Sequence, residues 1–406
     1  MRSHLFNKVN KAKAGKSQIL VKVLQVIPSL SFIHGGPSRA IQLIESALAG
    51  AGLEVTTLTT DDDGPGRRVT PENREISNNN GVSRVYVRKW HDLYKFAPGA
   101  LTWLWRNIRR FDVVHIHALF SFTSICAAFV ARARDVPYIL RPLGTLNAYG
   151  LTKRRSWAKK ISLMILEGPL IRHAAAIHFT SIQEEVEANL LGIPMRGAVV
   201  PLAVDIDSVQ ARDPRTPVPM RTVLFLSRID PVKNIEGLLR AWVLVRQSLP
   251  SIRLVIAGDG PTDYVSNIKS VAEGLGLKAH IEWPGHVAGI QKTAMLKSAD
   301  IFVLPSFSEN FGIAAAEALA AGIPCVLTHG VAIAHGAKLA AAARVVGTEP
   351  TEIASALIDL LSDPESCHHM GLRGRRYAEK EFSKQTMAAR LVGLYQEVCS
   401  SNRAEA

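Results

Sequence analysis

Two carboxylates eight positions apart, Glu309 and Glu317, flank the start of a short Ala-rich segment in PSFSENFGIAAAEALAAGIPCVLT, residues 305–328. Asp300 to Leu304 before it, apolar after the first residue, reads as a buried strand, and Ser306 to Asn310 reads as a polar loop. Gly312 to Ala321 reads as a helix stopped by Gly322 and Pro324, and Cys325 to Thr328 as the next strand. This order puts Glu309 at the carboxyl end of a strand, where open α/β sheets bind ligands, and Glu317 further along the helix. Gly312 lets a ligand approach the free N–H groups of the helix start, which favour phosphate. Glutamates at this spacing are common on solvated helices; the strand, loop, helix and strand around them make these two site-like.

A second grouping is basic. Arg228 and Lys233 lie in SRIDPVKN, just past a strand at Val223 to Ser227 and before a helix. Arginine brings a planar fork of donors and lysine a point charge. His115 and His117 share one face of a strand in FDVVHIHALF, with His117 at its carboxyl end. A lone histidine is most often structural, and no third ligand type accompanies this pair, so no metal site is read. Asp61, Asp62 and Asp63 run into a Gly-Pro-Gly loop and read as a solvated turn. Gly258 and Gly260 suggest a dinucleotide loop, but Asp263 stands where a third glycine is needed, which excludes a nicotinamide fingerprint.

These residues need a scaffold of alternating strands and helices. Val21 to Ile27, Glu54 to Thr59, Gly81 to Lys89, Val113 to Ile116 and Pro137 to Arg141 read as strands, with helices over 38–51 and 98–110. Ser181 and Glu184 form a capping box for a further helix. A doubly wound α/β architecture follows. The chain has 406 residues and 47% hydrophobic content, enough for more than one core. No apolar run is long enough to span a bilayer, and the polar, basic start lacks the core of a signal peptide. Four scattered cysteines fit a reducing compartment. The net charge of +13 favours an anionic partner.

The string from Glu309 to Pro324 resembles the signature of the retaining glycosyltransferases of family 4, in which Glu309, Phe311, Gly312, Glu317, Gly322 and Pro324 each match. Arg228 and Lys233 match a further family motif. The resemblance implies the GT-B fold: two Rossmann-like doubly wound domains facing each other across a cleft. The expected division is a basic tail over 1–18, an acceptor-side domain over 19–205, a linker over 206–219, a donor-nucleotide domain over 220–382, and a helix over 383–406 crossing back to the first domain. The implied reaction moves a hexose from a nucleoside diphosphate sugar to a glycan or lipid-linked acceptor, with the sugar nucleotide as co-substrate and no cofactor. The implied catalytic set is Glu309, Arg228, Lys233 and His117, with Arg228 and Lys233 on the departing diphosphate and His117 touching the donor sugar. The implied donor-binding set is Gly35, Gly36, Gly258, His286, Asn310, Phe311, Gly312, Ile313 and Glu317.

The chain departs from the family pattern in two places. Leu202 and Ala203 replace an Asn-Gly pair, and His329, Ala332 and His335 stand where many relatives carry Gly-Gly-x-x-Glu. A sugar-nucleotide epimerase or phosphorylase on the same fold is the first alternative. A nucleic-acid-binding protein is the second, opposed by an aromatic content of 6% and by the lack of basic residues interleaved with stacking rings. The segment from Arg141 to His173 resembles members that build surface polysaccharides. It holds Lys153, Arg154, Arg155, Lys159 and Lys160 around Trp157, basic first and apolar later. Its apolar second half is expected to dock on the domain. A cytoplasmic location with electrostatic attachment to an anionic membrane face is expected of such a segment.

Overall fold

The computed structural model describes residues 21–31, 33, 36–64, 66–69, 75–78, 81–146, 161–206 and 222–405. The basic tail, the first-loop Gly35, the cluster from Lys153 to Lys160 and most of the expected linker lie outside the described residues.

Two α/β domains follow each other. The first is built on β1 (Lys22–Ser29), β2 (Glu54–Thr60), β3 (Glu75–Asn78), β4 (Val82–Val87), β5 (Val113–His117), β6 (Tyr138–Arg141), β7 (Ala176–Phe179) and β8 (Gly197–Val199), in the order β3-β4-β2-β1-β5-β6-β7-β8. Its pairings are parallel except for β3 against β4. The second domain is built on β9 (Thr222–Leu226), β10 (Arg253–Ala257), β11 (Ile281–Gly285), β12 (Ile301–Leu304), β13 (Cys325–Thr328) and β14 (Ala343–Val346), all parallel, in the order β11-β10-β9-β12-β13-β14. β5, β6, β9, β12 and β13 are buried along their whole length. Helices cover both faces of a parallel sheet, so such strands read as largely apolar runs. The strand order reverses between β1 and β5 in one sheet and between β9 and β12 in the other. Ligands bind at such switch points, and each candidate site residue in the loops after β1, β9 and β12 lies at one.

The last helix, Lys384–Glu405, packs against the helix Gly36–Gly50 and against β5 of the first domain. Tyr395 is its fully buried anchor. Phe311 meets Phe382 edge-on, with centroids 5.3 Å apart, and the Phe382 carbonyl accepts the Val204 N–H at 2.9 Å. The signature loop is thereby fixed to the crossing between the domains.

Three expectations are corrected. The strand expected over 81–89 is shorter and pairs antiparallel with β3, which its sequence did not mark. The Asp61–Asp63 turn is not solvated at its centre. Asp62 is fully buried and paired with Lys89 and with Lys95 at 2.7 Å, while Asp63 accepts the Ser31 hydroxyl at 2.5 Å. A buried carboxylate needs such partners. The apolar half of the 141–173 segment does not dock as a unit. Residues Leu163–Glu167 form a π-helical turn that leaves Met164 73% exposed and Ile165 60% exposed. The wider turn points Ser162 and Glu167 inward, hydrogen-bonded to each other at 2.6 Å. Gly168 is required there, because a Cβ would stand 2.5 Å from the Leu163 carbonyl oxygen.

Candidate active site

After β9 the chain turns through Pro231–Lys233, a 3₁₀ turn capped by Asp230, whose carboxylate accepts the Val232 N–H at 3.1 Å. Phe307 donates its N–H to the Val232 carbonyl at 2.8 Å and ties the loop after β12 to this turn. Lys233 is nearly fully buried and its ammonium is ion-paired with Glu309 Oε2. Glu309 is held on its other flank, donating N–H to Gly330 O at 2.8 Å and accepting from Ala332 N at 3.0 Å. Loops from two strands thus place one cation and one carboxylate together at the switch point.

Arg228 is exposed beside this turn, with no hydrogen-bond or ion partner among the described residues. Its loop is strapped to the loop after β10, since Ile229 donates its N–H to Asp259 O at 2.8 Å. Gly258 makes the strap possible: a Cβ there would stand 1.8 Å from the Ser227 carbonyl oxygen. Its glycine character therefore serves loop packing. His286 is exposed at the end of β11. The helix Ile313–Ala320 starts at Gly312, whose φ of 88° suits glycine. Phe311 is buried as an anchor, so its side chain faces the protein and only its backbone is offered at the helix start. Glu317 pairs with Lys292 at 2.5 Å, leaving its other oxygen without a partner among the described residues. Lys292, on the helix Gly289–Ser298, went unmarked because it looks like any surface lysine in sequence.

Across the cleft, the first domain touches this loop directly. Asn310 offers its carbonyl to the hydroxyls of Ser181 at 3.2 Å and Thr180 at 3.4 Å. Its side chain lies against Gly144, where a Cβ would come 1.6 Å from Asn310 Nδ2. Gly36 faces Ile313, whose Cδ1 would lie 3.3 Å from a Cβ on that glycine. Asn310 and Ile313, read as donor contacts, are therefore also interdomain contacts. The capping box forms in part: Ser181 Oγ accepts the Glu184 N–H at 3.1 Å. The Glu184 carboxylate reaches Thr180 N and Gly144 N, each at 2.8 Å.

His117 is placed differently from the expectation. It is fully buried, and its ring lies within a hydrogen-bonded chain instead of on the cleft surface. The carbonyl of Val200 can only accept, so His178 donates Nε2–H to it at 2.8 Å. His178 Nδ1 then accepts from His115 Nε2 at 3.1 Å, and His115 Nδ1 accepts the Tyr395 hydroxyl proton at 2.8 Å. Tyr395 in turn accepts from Gln25 Nε2 at 3.2 Å, and Gln25 Oε1 accepts from His117 Nε2. His117 Nδ1 is left as an acceptor facing Arg141 Nη1 at 3.5 Å. Every tautomer in the chain follows from its first member. Burial holds all three imidazoles neutral, with His178 pulled down to about 3 and His115 and His117 well below the usual range. The neighbouring imidazoles and the Arg141 charge add to the shift.

Comparison with known proteins agrees with this architecture. Residues 35–203 match the family described as "Glycosyl transferase 4-like domain", and residues 210–377 match "Glycosyl transferases group 1". A glycogen synthase of Mycobacterium tuberculosis is 26% identical over 398 residues, covering 89% of this chain and 91% of that protein. A D-inositol 3-phosphate glycosyltransferase of Segniliparus rotundus is 32% identical, covering 74% of this chain and 64% of that protein. The solved structure of HepE from Anabaena, in complex with UDP and glucose, superposes with a TM-score of 0.72 at 15% identity, over 93% of this chain and 99% of HepE.

Proposed function

We propose that this chain, which belongs to the family 4, group 1 glycosyltransferases, moves a hexose from a nucleoside diphosphate sugar to a glycan or lipid-linked acceptor with retention of anomeric configuration. The observation that carries the reading is the Lys233–Glu309 pair at the β9/β12 switch point, set beside the Arg228 guanidinium, which has no partner among the described residues. Lys233 and Arg228 form an electrostatic clamp for charge that grows on the departing diphosphate. Glu309 accepts hydrogen bonds from donor-sugar hydroxyls, and the free oxygen of Glu317 accepts from the ribose. Backbone N–H groups at the start of the helix Ile313–Ala320 add to phosphate binding. Contact of Asn310 with Gly144 and Ser181 closes the cleft and excludes water that would hydrolyse the donor. The clamp supplies the positive charge, and Asp62 is already engaged by two lysines, so the reaction is read as independent of a divalent metal.

The acceptor side supports a lipid-linked substrate. Met164 and Ile165 are exposed directly after the basic residues 153–160. Apolar and basic groups together suit reversible attachment to an anionic membrane face. No helix among the described residues is long and apolar enough to cross a membrane.

A panel of UDP- and GDP-sugars scored by thermal shift, followed by product analysis with the best donor, tests the reading. Transfer that requires an acceptor and yields the donor's anomeric configuration is expected. Conversion of the sugar nucleotide without any acceptor identifies an epimerase instead.

A further inference from the structure

The first domain holds a buried charge that the donor clamp does not use. Arg141 ends β6, paired in register with His117 at the end of β5, and is 3% exposed. No carboxylate among the described residues reaches it in an ion pair. Glu184 acts on it only through space, its oxygens being taken by Gly144 and Thr180. Arg141 Nε has no hydrogen-bond partner among the described residues. Among the described residues, the one hydrogen bond on the guanidinium is the donation from Nη1 to His117 Nδ1 at 3.5 Å.

Burial opposes this charge and draws the guanidinium down to about 10. Buried arginines are normally paired, because desolvation of a lone cation is expensive. An unpaired one is expected where a ligand supplies the anion. The setting agrees. Arg141 lies at the carboxyl end of a parallel sheet, where ligands bind. The loops after β5 and β6 hold Ala118 at φ 84° and Leu143 at φ 54°, left-handed conformations that strain a residue with a Cβ. Three residues on, Gly144 meets Asn310 of the catalytic loop, so Arg141 stands beside the closed cleft. The chain from His178 and His115 through Tyr395 and Gln25 fixes His117 Nδ1 as an acceptor, and that in turn sets the direction of the fork.

We propose that Arg141 binds a phosphate group carried by the acceptor. This rests on the glycosyltransferase reading and adds that the acceptor is phosphorylated near the hydroxyl that receives the sugar. The planar fork suits two phosphate oxygens at once. The donor's diphosphate is met in the other domain, by Arg228 and Lys233, so the two anions are held apart.

The test titrates inorganic phosphate into the protein saturated with whichever of UDP and GDP raises its Tm, which occupies the donor clamp. Phosphate is expected to raise Tm further in the wild type. Arg141→Gln should weaken that response at least about tenfold, as expected for loss of a charge-assisted bidentate contact, and leave nucleotide affinity unchanged. Tyr395→Phe, which frees the imidazole chain without touching the fork, should weaken phosphate by a smaller factor at unchanged nucleotide affinity. An unchanged phosphate response in Arg141→Gln overturns the proposal. So does equal loss of nucleotide affinity, which would put Arg141 on the donor, and so does acetate acting as well as phosphate. If Arg141→Gln does not fold, Arg141→Met supplies the comparison, since a buried apolar chain replaces an unpaired charge. If neither nucleotide binds, a UDP- or GDP-sugar donor is ruled out, while the phosphate responses of wild type and variant still decide the role of Arg141.

Discussion

Replacing Lys233 by alanine separates a catalytic clamp from a structural ion pair. In the folded protein the lysine side chain is 6% exposed and its Glu309 partner 23% exposed. Truncating one member of a fully buried pair costs about 3–5 kcal/mol. Glu309 keeps some contact with water, so about 2 kcal/mol is the better expectation. At about 2–4 °C per kcal/mol for a domain of this size, Tm falls by about 4–8 °C. The protein remains folded at 25 °C and its kinetics are measurable. Loss of one preorganised donor to developing charge lowers kcat by about 10²–10³, which is about 2.7–4 kcal/mol of transition-state stabilisation. Kinetics with the best donor, read as nucleotide release and sugar transfer together, measure it. The double variant Lys233→Ala, Glu309→Gln then assigns the effect. If Lys233 only steadies Glu309, the double variant is no slower than Glu309→Gln alone. If it meets the diphosphate, the double variant is slower again by at least about tenfold. A normal kcat in Lys233→Ala, whatever its Tm, refutes the clamp.

The two glutamates should separate by ligand. Glu317→Gln weakens the bare nucleotide in calorimetry, whereas Glu309→Gln leaves it nearly intact and slows sugar transfer; equal nucleotide losses contradict that division. Gly144→Ala places a Cβ 1.6 Å from Asn310 Nδ2 at a φ of +72°, so closure and kcat should suffer while nucleotide affinity holds. Adding Asn310→Ala should recover part of the loss, and no recovery would show that backbone strain alone is responsible. Activity should survive excess EDTA, and loss restored by Mn²⁺ would reopen the question of Asp61 to Asp63. The protein should co-sediment with anionic vesicles at low salt, release as salt screens the attraction, and bind less well as Met164→Ser, Ile165→Ser. A wild type indifferent to such vesicles contradicts the membrane reading.

Much of the scaffold was legible because strands covered on both faces read as largely apolar runs. IFVL announces itself, VVHIH does so despite its two histidines, and loops at their carboxyl ends mark where a ligand sits. The signature string was legible for a local reason: strand, loop, capped helix and next strand all fall within about two dozen residues, so their relative placement is nearly fixed by the chain itself. What escaped is set by distant pairing. Lys292 reaches Glu317 only because their two helices lie side by side. Gln25 and Tyr395 are 370 positions apart and meet only because the last helix returns to the first domain. His117 was legible as a strand-end histidine but not as a buried one, since nothing in FDVVHIHALF tells which partners will enclose its ring. The π turn at Leu163–Glu167 was hidden because its spacing differs from a helix by one residue, enough to turn Met164 and Ile165 outward.

The same distant pairings connect closure to chemistry. Asn310 is the neighbour of Glu309, and its carbonyl and side chain are held by Ser181 and Gly144 of the opposite domain. Separation of the domains releases Asn310, and the loop carrying Glu309 then loses one of its supports. The pair with Lys233 and the backbone bonds to Gly330 and Ala332 remain within the second domain, so the donor side persists when the cleft opens. On the proposed function, a nucleotide sugar would meet a clamp already formed within the second domain, and Asn310 would tie the positioning of Glu309 to the first domain. The final helix limits how far the domains can part, because Tyr395 is buried against Gln25 and His115 and travels with the first domain. Its connection to the preceding helix at Phe382, where Phe311 also rests, is thus where the crossing helix, the first domain and the signature loop meet.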